Sequence, residues 1–392
     1  MENKKILFVD DEVDILRSIE RAFLEEDFEI YFTKSVDEAI VILDTKDIDI
    51  LVSDMRMPIK DGVELFKYAK KNYPSIPRIA LSAYTDEGQV YRLLDKNLIK
   101  LYILKPWKNS EVVDIIKKAI ALEEKLNDKR MLTIINNIES LPTLPDIYIK
   151  VNNMIETGSG LNDIVEEVSR DQSISSRILR IANSGFYGLK TDSIAQAVSY
   201  LGSDILKNII LTTQIFKLSS SDRMYYEMIW GHTEIISENM VKFVKNYLGE
   251  KPLPIYLSAA LFHDIGMVIL IKEFKNKYKQ ILRTVQEGNG EGKLLELEKE
   301  NFGMTHQELG GLLLNWWEFP YHIIECLMYH HSPNNEEIIN KDLVKMLYLC
   351  DVYSWKNILK NKKRKIEIDP KVLKDMNLTV EKCDEIFGAS TK

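Results

Sequence analysis

The sequence is short of cysteine, of histidine and of positive charge. Its three cysteines, Cys326, Cys350 and Cys383, are far apart and form no Cys-x-x-Cys pair. That argues against a disulfide framework and fits reduced thiols in a cytosol. A formal net charge of −8 leaves no dominant basic face, so neither nucleic acid nor an anionic membrane is an expected partner. The one basic run, Lys362-Lys363-Arg364-Lys365, reads as a solvated loop. No uninterrupted apolar run approaches the roughly 20 residues of a membrane helix. Ile6-Leu7-Phe8-Val9 before Asp10 is too short for the apolar core of a signal peptide. The expectation is a cytoplasmic protein, and 392 residues imply two or three domains.

What is present begins with alternation. Lys5 to Val9 is a buried-strand pattern ending in Asp10-Asp11. Val13, Leu16, Ile19 and Phe23 then follow helical spacing, and Phe28 to Phe32 is strand-like. Ser35 with Glu38 forms a capping box for a helix through Ala39, Ile40 and Leu43. Ile48 to Val52, Arg78 to Ser82 and Leu101 to Leu104 are further strands. Gly62 to Tyr73 and a segment from about Glu87 are helical. Five β/α units predict a doubly wound α/β domain with a five-stranded parallel sheet, whose ligands bind at the strands' carboxyl ends. Asp10, Asp11, Asp54, Ser82 and Lys105 all fall at those ends. Converging carboxylates call for a hard cation such as Mg²⁺, and an adjacent lysine and hydroxyl suit a phosphoryl group.

Phe8-Val9-Asp10-Asp11-Glu12, Ser53-Asp54-Met55-Arg56-Met57-Pro58, Asp61-Gly62, Ser82-Ala83 and Tyr102-Ile103-Leu104-Lys105-Pro106-Trp107 resemble the receiver domain of two-component response regulators, a flavodoxin-like fold. The resemblance covers about residues 3–125, with the domain itself placed at 1–125. It implies Asp54 as phosphoacceptor and a sensor histidine kinase as partner. Mg²⁺ would be held by Asp11, Asp54 and the Arg56 carbonyl, with Asp10 assisting. Ser82 and Lys105 would contact the phosphoryl group, and Tyr102 would be the rotating aromatic of the switch.

Ser110-x-x-Val113 opens a helix to about Asn127, a joining segment at about 110–130. Val112, Ile115, Ala119, Leu122 and Leu126 recur at three- and four-residue steps. Up to Ala119 this reads as packing on the sheet. Leu122 and Leu126 read as either a homodimer contact or a rigid coupling rod. From Met131 the strand signals stop, and Leu141-Pro142-Thr143-Leu144-Pro145 makes a rigid entry loop. Asn162 or Asp163 can cap a helix through Ile164, Val165 and Val168. Ser173 to Ala182, Ser193 to Leu201 and Ile205 to Phe216 follow, broken by Asn and Gly. The pattern is all-α.

All six histidines lie between His232 and His331. His232, His263, His306, His330 and His331, with Asp264 and Asp351, carry the imidazole and carboxylate donors that suit first-row divalent metals such as Fe, Mn or Zn. His322 lies off the pattern and reads as a surface or packing residue. Gly310 and Gly311 after His306 allow close helix packing.

Leu141 to Pro145, Arg170-Asp171-Gln172-Ser173, Asn183-Ser184-Gly185-Phe186-Tyr187-Gly188, Ala197 to Gly202, Leu261-Phe262-His263-Asp264-Ile265-Gly266 and His330-His331-Ser332-Pro333 resemble the HDOD output domain, a relative of the HD metal-dependent phosphohydrolases. The resemblance spans 131–355, leaving 356–392 as a C-terminal extension with no assigned role. It implies a signalling output that acts by binding a protein partner. The catalytic branch that cleaves cyclic dinucleotides carries lysine after His-Asp-x-Gly and a Gly-Tyr-Pro segment further on. Here Met267 holds the first place and Ser332-Pro333-Asn334-Asn335 follows His331. The expectation is a response regulator. The competing expectation is a metal-dependent phosphohydrolase or cyclic dinucleotide phosphodiesterase using the seven ligands, and a third is a structural metal.

Overall fold

The computed structural model describes residues 3–83, 90, 93–94, 97–127, 145–183, 189–215, 223–249, 254–287, 292–358 and 367–388. The expected helix near Glu87, residues 141–144 of the entry loop, Ser184 to Gly188, Phe216 and the basic run at 362–365 lie outside them. The chain divides into two compact units. One is Met1–Lys125 with Leu314–Tyr321, and the other is Leu126–Leu313 with His322–Lys392.

In the first unit, strands β1 (Lys4–Val9), β2 (Phe28–Thr33), β3 (Ile50–Asp54), β4 (Arg78–Ala83) and β5 (Leu101–Lys105) form one parallel sheet in the order β2-β1-β3-β4-β5. The continuous apolar runs are needed because both faces are covered: Ile6, Leu7, Phe8 and Val9 are fully buried. The order reverses between β1 and β3, where Val9 pairs with Ser53. That switch point opens a crevice beyond the carboxyl ends of the two central strands.

Helices α1 (Val13–Ala22), α2 (Val36–Thr45), α3 (Gly62–Asn72) and α4 (Asn109–Leu126) complete this unit among the described residues. Ser35 caps α2 by accepting from Glu38 N at 3.3 Å, but the Glu38 carboxylate takes the Thr33 hydroxyl instead of closing the box. Asp61 caps α3, accepting from Glu64 N at 2.9 Å. In α4, Leu122 and Leu126 are 4% and 1% exposed. These two residues of the stripe assigned to a dimer contact or a rod are therefore buried within the chain.

Ile59, in the loop between Asp54 and α3, has φ of +72° and is wholly exposed. A β-branched side chain in the left-handed region is strained and here gains no burial in return. Ile59→Gly is expected to stabilise this unit by about 1 kcal/mol. Denaturant unfolding checks it, and an unchanged or lower midpoint would show that the strain is not there.

The second unit is helical throughout its described residues: α5 (Asp146–Glu156), α6 (Leu161–Ser169), α7 (Gln172–Ala182), α8 (Ile194–Leu201), α9 (Ser203–Ile215), α10 (Arg223–Phe243), α11 (Pro254–Phe262), α12 (Ile265–Glu287), α13 (Gly292–Phe302), α14 (His306–Trp316), α15 (Tyr321–Tyr329), α16 (Lys341–Ile358), α17 (Pro370–Asp375) and α18 (Val380–Phe387). Gly160, not Asn162 or Asp163, is the N-cap of α6. Both predicted caps fall inside the first turn, where Asp163 still faces the helix dipole favourably. Asp171 caps α7 and Ser193 caps α8 as side-chain acceptors. Gly202 ends α8 at φ +82°.

One stretch among the described residues, Ile255–Val285, is by length and composition apolar enough to cross a membrane, although charged and polar residues interrupt it. Its most apolar window is 89% buried, as in a core helix. The extension beyond residue 356 also has structure. Cys383, Ile386 and Phe387 of α18 are buried, and Phe387 stacks on Tyr353 of α16 at 4.4 Å between ring centroids.

Candidate functional site

The switch-point crevice is built by three strand ends. Asp10 follows β1, Asp54 ends β3 and Lys105 ends β5. The Lys105 ammonium donates to Asp10 Oδ2 at 2.9 Å and approaches Asp54 Oδ1 at 2.5 Å. The second oxygen of each carboxylate accepts a backbone N–H. Asp54 Oδ2 takes that of Arg56 and Asp10 Oδ1 that of Glu12, at 2.8 and 2.9 Å. Burial pushes the Asp10 carboxyl up despite Lys105. Burial would lower the Lys105 ammonium, but the two carboxylates outweigh it and raise its pKa.

Asp11 is half-buried on the rim, and Arg56 is exposed with its backbone beside Asp54. Ser82 is buried on the neighbouring β4, its hydroxyl turned to the Ala83 carbonyl at 3.3 Å. Tyr102 is half-buried and packs on the sheet core. Three carboxylates against one lysine leave an excess of negative charge, which a divalent oxygen-seeking cation fits. Gly62 is what lets α3 start here. A Cβ at that position would stand 1.9 Å from the Asp54 carbonyl oxygen.

All seven residues assigned to the second site come together. His232 comes from the middle of α10, and His263-Asp264 from the turn joining α11 to α12 rather than from a helix. His306 opens α14, His330-His331 follow α15, and Asp351 lies on α16. Asp264 is central. Its carboxylate lies 3.2 Å from His263 Nε2, 3.5 Å from His330 Nε2, and 3.7 Å from both His306 Nε2 and His232 Nε2. Asp351 stands 3.0 Å from His232 Nε2 and 3.9 Å from His331 Nδ1.

Two sets of donor atoms gather within 4.8 Å, Asp264 with His306, His330 and His331, and Asp264 with His232 and His263. Only His331 is appreciably open, its side chain 23% exposed.

Each of the four buried imidazoles is held by its other nitrogen. Nδ1 of His232 meets the Ser354 hydroxyl at 2.8 Å, that of His263 the Ala260 carbonyl at 2.8 Å, that of His330 the Leu327 carbonyl at 2.9 Å, and that of His306 the Glu298 carboxylate at 2.8 Å. Carbonyl and carboxylate acceptors fix the proton on Nδ1 and leave Nε2 as a lone pair. Nε2 of His263, His306 and His330 is buried without a well-formed hydrogen bond. Buried donors or acceptors without partners are costly, and convergent orphaned lone pairs fit a metal ion.

Without an ion, protons stand in for it. Burial would lower His263, but Asp264 raises it to about 9. Burial likewise opposes protonation of His306, and Glu298 overcomes it. His330 and His331 are pushed down by burial and by neighbouring histidines. Burial raises the Asp264 carboxyl, but His263 and its neighbours hold it well below the usual carboxylate range.

Sequence reasoning missed Glu298, Ser354 and Trp355, whose ring lies 4.5 Å from that of His232. Of the two readings of His322, surface or packing, the structure has packing: the side chain is buried. Burial lowers His322 to about 4 from an ordinary 6.5. The unfolded chain then takes up this proton first, so stability is present above pH 6.5 and falls as pH drops toward 4. Between pH 7 and 5 this group costs about 2 kcal/mol. The stability difference between wild type and His322→Leu is expected to shift by that amount in favour of the variant, as read by denaturant melts at the two pH values. A difference independent of pH would refute it.

Comparison with known proteins identifies both domains. The family model of the response regulator receiver domain matches residues 6–117, and that of the HDOD domain matches residues 141–333. The chain carries an N-terminal response regulator receiver domain and a C-terminal HDOD domain. It is 32% identical over 129 residues to the hydrogenase transcriptional regulatory protein HoxA of Cupriavidus necator, covering 33% of this chain and 27% of that one. It is 26% identical over 153 residues to the DNA-binding transcriptional regulator NtrC of Proteus hauseri, covering 38% and 32%. The chain thus spans roughly a third or less of these relatives' length. An HDOD domain protein of unknown function from Geobacter sulfurreducens is similar over 70% of this chain and 89% of that one, at 21% identity and a TM-score of 0.47.

Proposed function

We propose that this chain accepts a phosphoryl group on Asp54 from a sensor histidine kinase in the cytosol and thereby changes what its HDOD domain binds. The observation that carries the reading is Lys105 held between Asp10 and Asp54. An Asp54 oxygen attacks phosphorus, the bond to the donor's nitrogen breaks, and an acyl phosphate forms. Lys105 is poised to meet the charge that spreads over the equatorial oxygens. Asp10, Asp11, Asp54 and the Arg56 carbonyl would hold Mg²⁺, which supplies further neutralisation of that charge. Ser82 is one strand away, and rotation of its hydroxyl from the Ala83 carbonyl toward the phosphoryl group would bias the surface carrying Tyr102. Acetyl phosphate is expected to label the wild type and leave Asp54→Asn unlabelled. Labelling that persisted in Asp54→Asn would remove the phosphoacceptor assignment.

In the HDOD domain the seven converging residues support a bound divalent Fe, Mn or Zn ion, which holds α10, α12, α14, α15 and α16 in register. The output is recognition of a protein partner. Met267 supports recognition over turnover, since an apolar, buried side chain occupies the place of the catalytic branch's lysine. A second reading, a metal-dependent phosphohydrolase acting on cyclic dinucleotides, is favoured by the partly open His331. Metal-loaded protein incubated with cyclic di-GMP and with a generic phosphodiester separates them: turnover supports the hydrolase, and stable substrate supports the binding module.

A further inference from the structure

We propose that Glu298, outside both motifs, is the positioning residue for the donor set of Asp264, His306, His330 and His331, and that it supplies negative charge behind His306. The inference rests on the reading that the cluster binds a divalent metal. Glu298 lies on α13, eight residues before His306, and is fully buried. Its carboxylate accepts from His306 Nδ1 at 2.8 and 2.9 Å, from the His306 backbone N–H at 2.8 Å, and from the Tyr278 hydroxyl at 2.5 Å. Three donors from two elements hold both of its oxygens in place.

A carboxylate buried this deeply is expensive unless a positive charge stands near. His306 alone could supply that charge as an ordinary core ion pair. That alternative leaves His306 Nε2 unexplained, because it is buried without a hydrogen bond and stands 3.7 Å from Asp264 Oδ1. A cation at Nε2 accounts for both ends of the ring. Carboxylate, imidazole and metal in line make the imidazole a stronger donor and fix its orientation. The other set has different backing, Ser354 behind His232 and a backbone carbonyl behind His263. Glu298 therefore acts on one set and not on the other.

The test uses the full chain, stripped of metal and titrated with Zn²⁺ by calorimetry, with ¹⁵N-histidine NMR as the second readout. Glu298→Gln keeps the shape and removes the charge. It is expected to weaken Zn²⁺ binding about tenfold to a hundredfold, with the His306, His330 and His331 ring signals losing their response while those of His232 and His263 keep theirs. In the wild type, Zn²⁺ should move His306 Nε2 and leave Nδ1 protonated, a readout that stands if the variant does not fold. Unchanged affinity in a folded Glu298→Gln, or zinc on Nδ1, overturns this role alone. A wild type that takes no Zn²⁺ overturns the metal reading and this role together.

Discussion

Gly266→Ala is expected to lower the stability of the helical unit by about 3 kcal/mol, the upper range for overpacking, and so to lower its melting temperature by roughly 10 °C. A Cβ on Gly266 would sit 1.9 Å from the His306 carbonyl oxygen, 2.7 Å from its carbonyl carbon and 3.0 Å from its Cα. All three are backbone atoms, so no side chain can swing aside. The first turn of α12 must instead separate from the start of α14. Asp264 immediately precedes the first of these elements and His306 opens the second, so the same substitution pulls the metal donors apart. Thermal melts and Zn²⁺ titration of the variant check both effects. A variant with wild-type melting and wild-type affinity would show that the close approach is not required.

Asp264→Asn is expected to abolish tight Zn²⁺ binding, a loss of at least about a hundredfold, since even changing a residue that only hydrogen-bonds a metal ligand costs ten- to a hundredfold. Asp264 is the one residue shared by both donor sets. Asparagine preserves its volume but offers a neutral oxygen to the four imidazole Nε2 atoms within 3.2 to 3.7 Å. The effect without metal follows from the same charge. Burial opposes protonation of His263, and the Asp264 carboxylate is what raises it to about 9. Removing that carboxylate leaves burial to act, so the metal-free variant should lose the His263 proton at neutral pH, as ¹⁵N NMR of the ring would show. Zinc binding of wild-type strength in Asp264→Asn would mean that the ion, if bound, sits elsewhere.

The receiver site was legible because a parallel sheet orders its functional residues by chain position. Asp10-Asp11, Asp54, Ser82 and Lys105 each follow an apolar run, and register brings those ends together. The second site was legible by residue type. Scarce histidines confined to one stretch stand out, although helical spacing could not say that His263 and Asp264 occupy a turn.

Glu298 left no signal. It sits between Glu296 and Glu300 on a charged helix, and only the fold shows which of the three turns inward. Leu122 and Leu126 looked like a free seam because local periodicity cannot reveal what covers a stripe. His322 was left between surface and packing for the same reason, as burial depends on neighbours distant in the chain. The helices after Asp369 are short, and the tertiary packing of Phe387 against Tyr353 outweighs their weak pattern.

The most direct measurement is elemental analysis of the full chain, expressed with Fe, Mn and Zn supplied and purified without chelators. Convergent, orphaned Nε2 atoms around Asp264 predict a stoichiometric transition metal in the wild type and none in Asp264→Asn. A folded wild-type protein free of Fe, Mn and Zn would contradict the account.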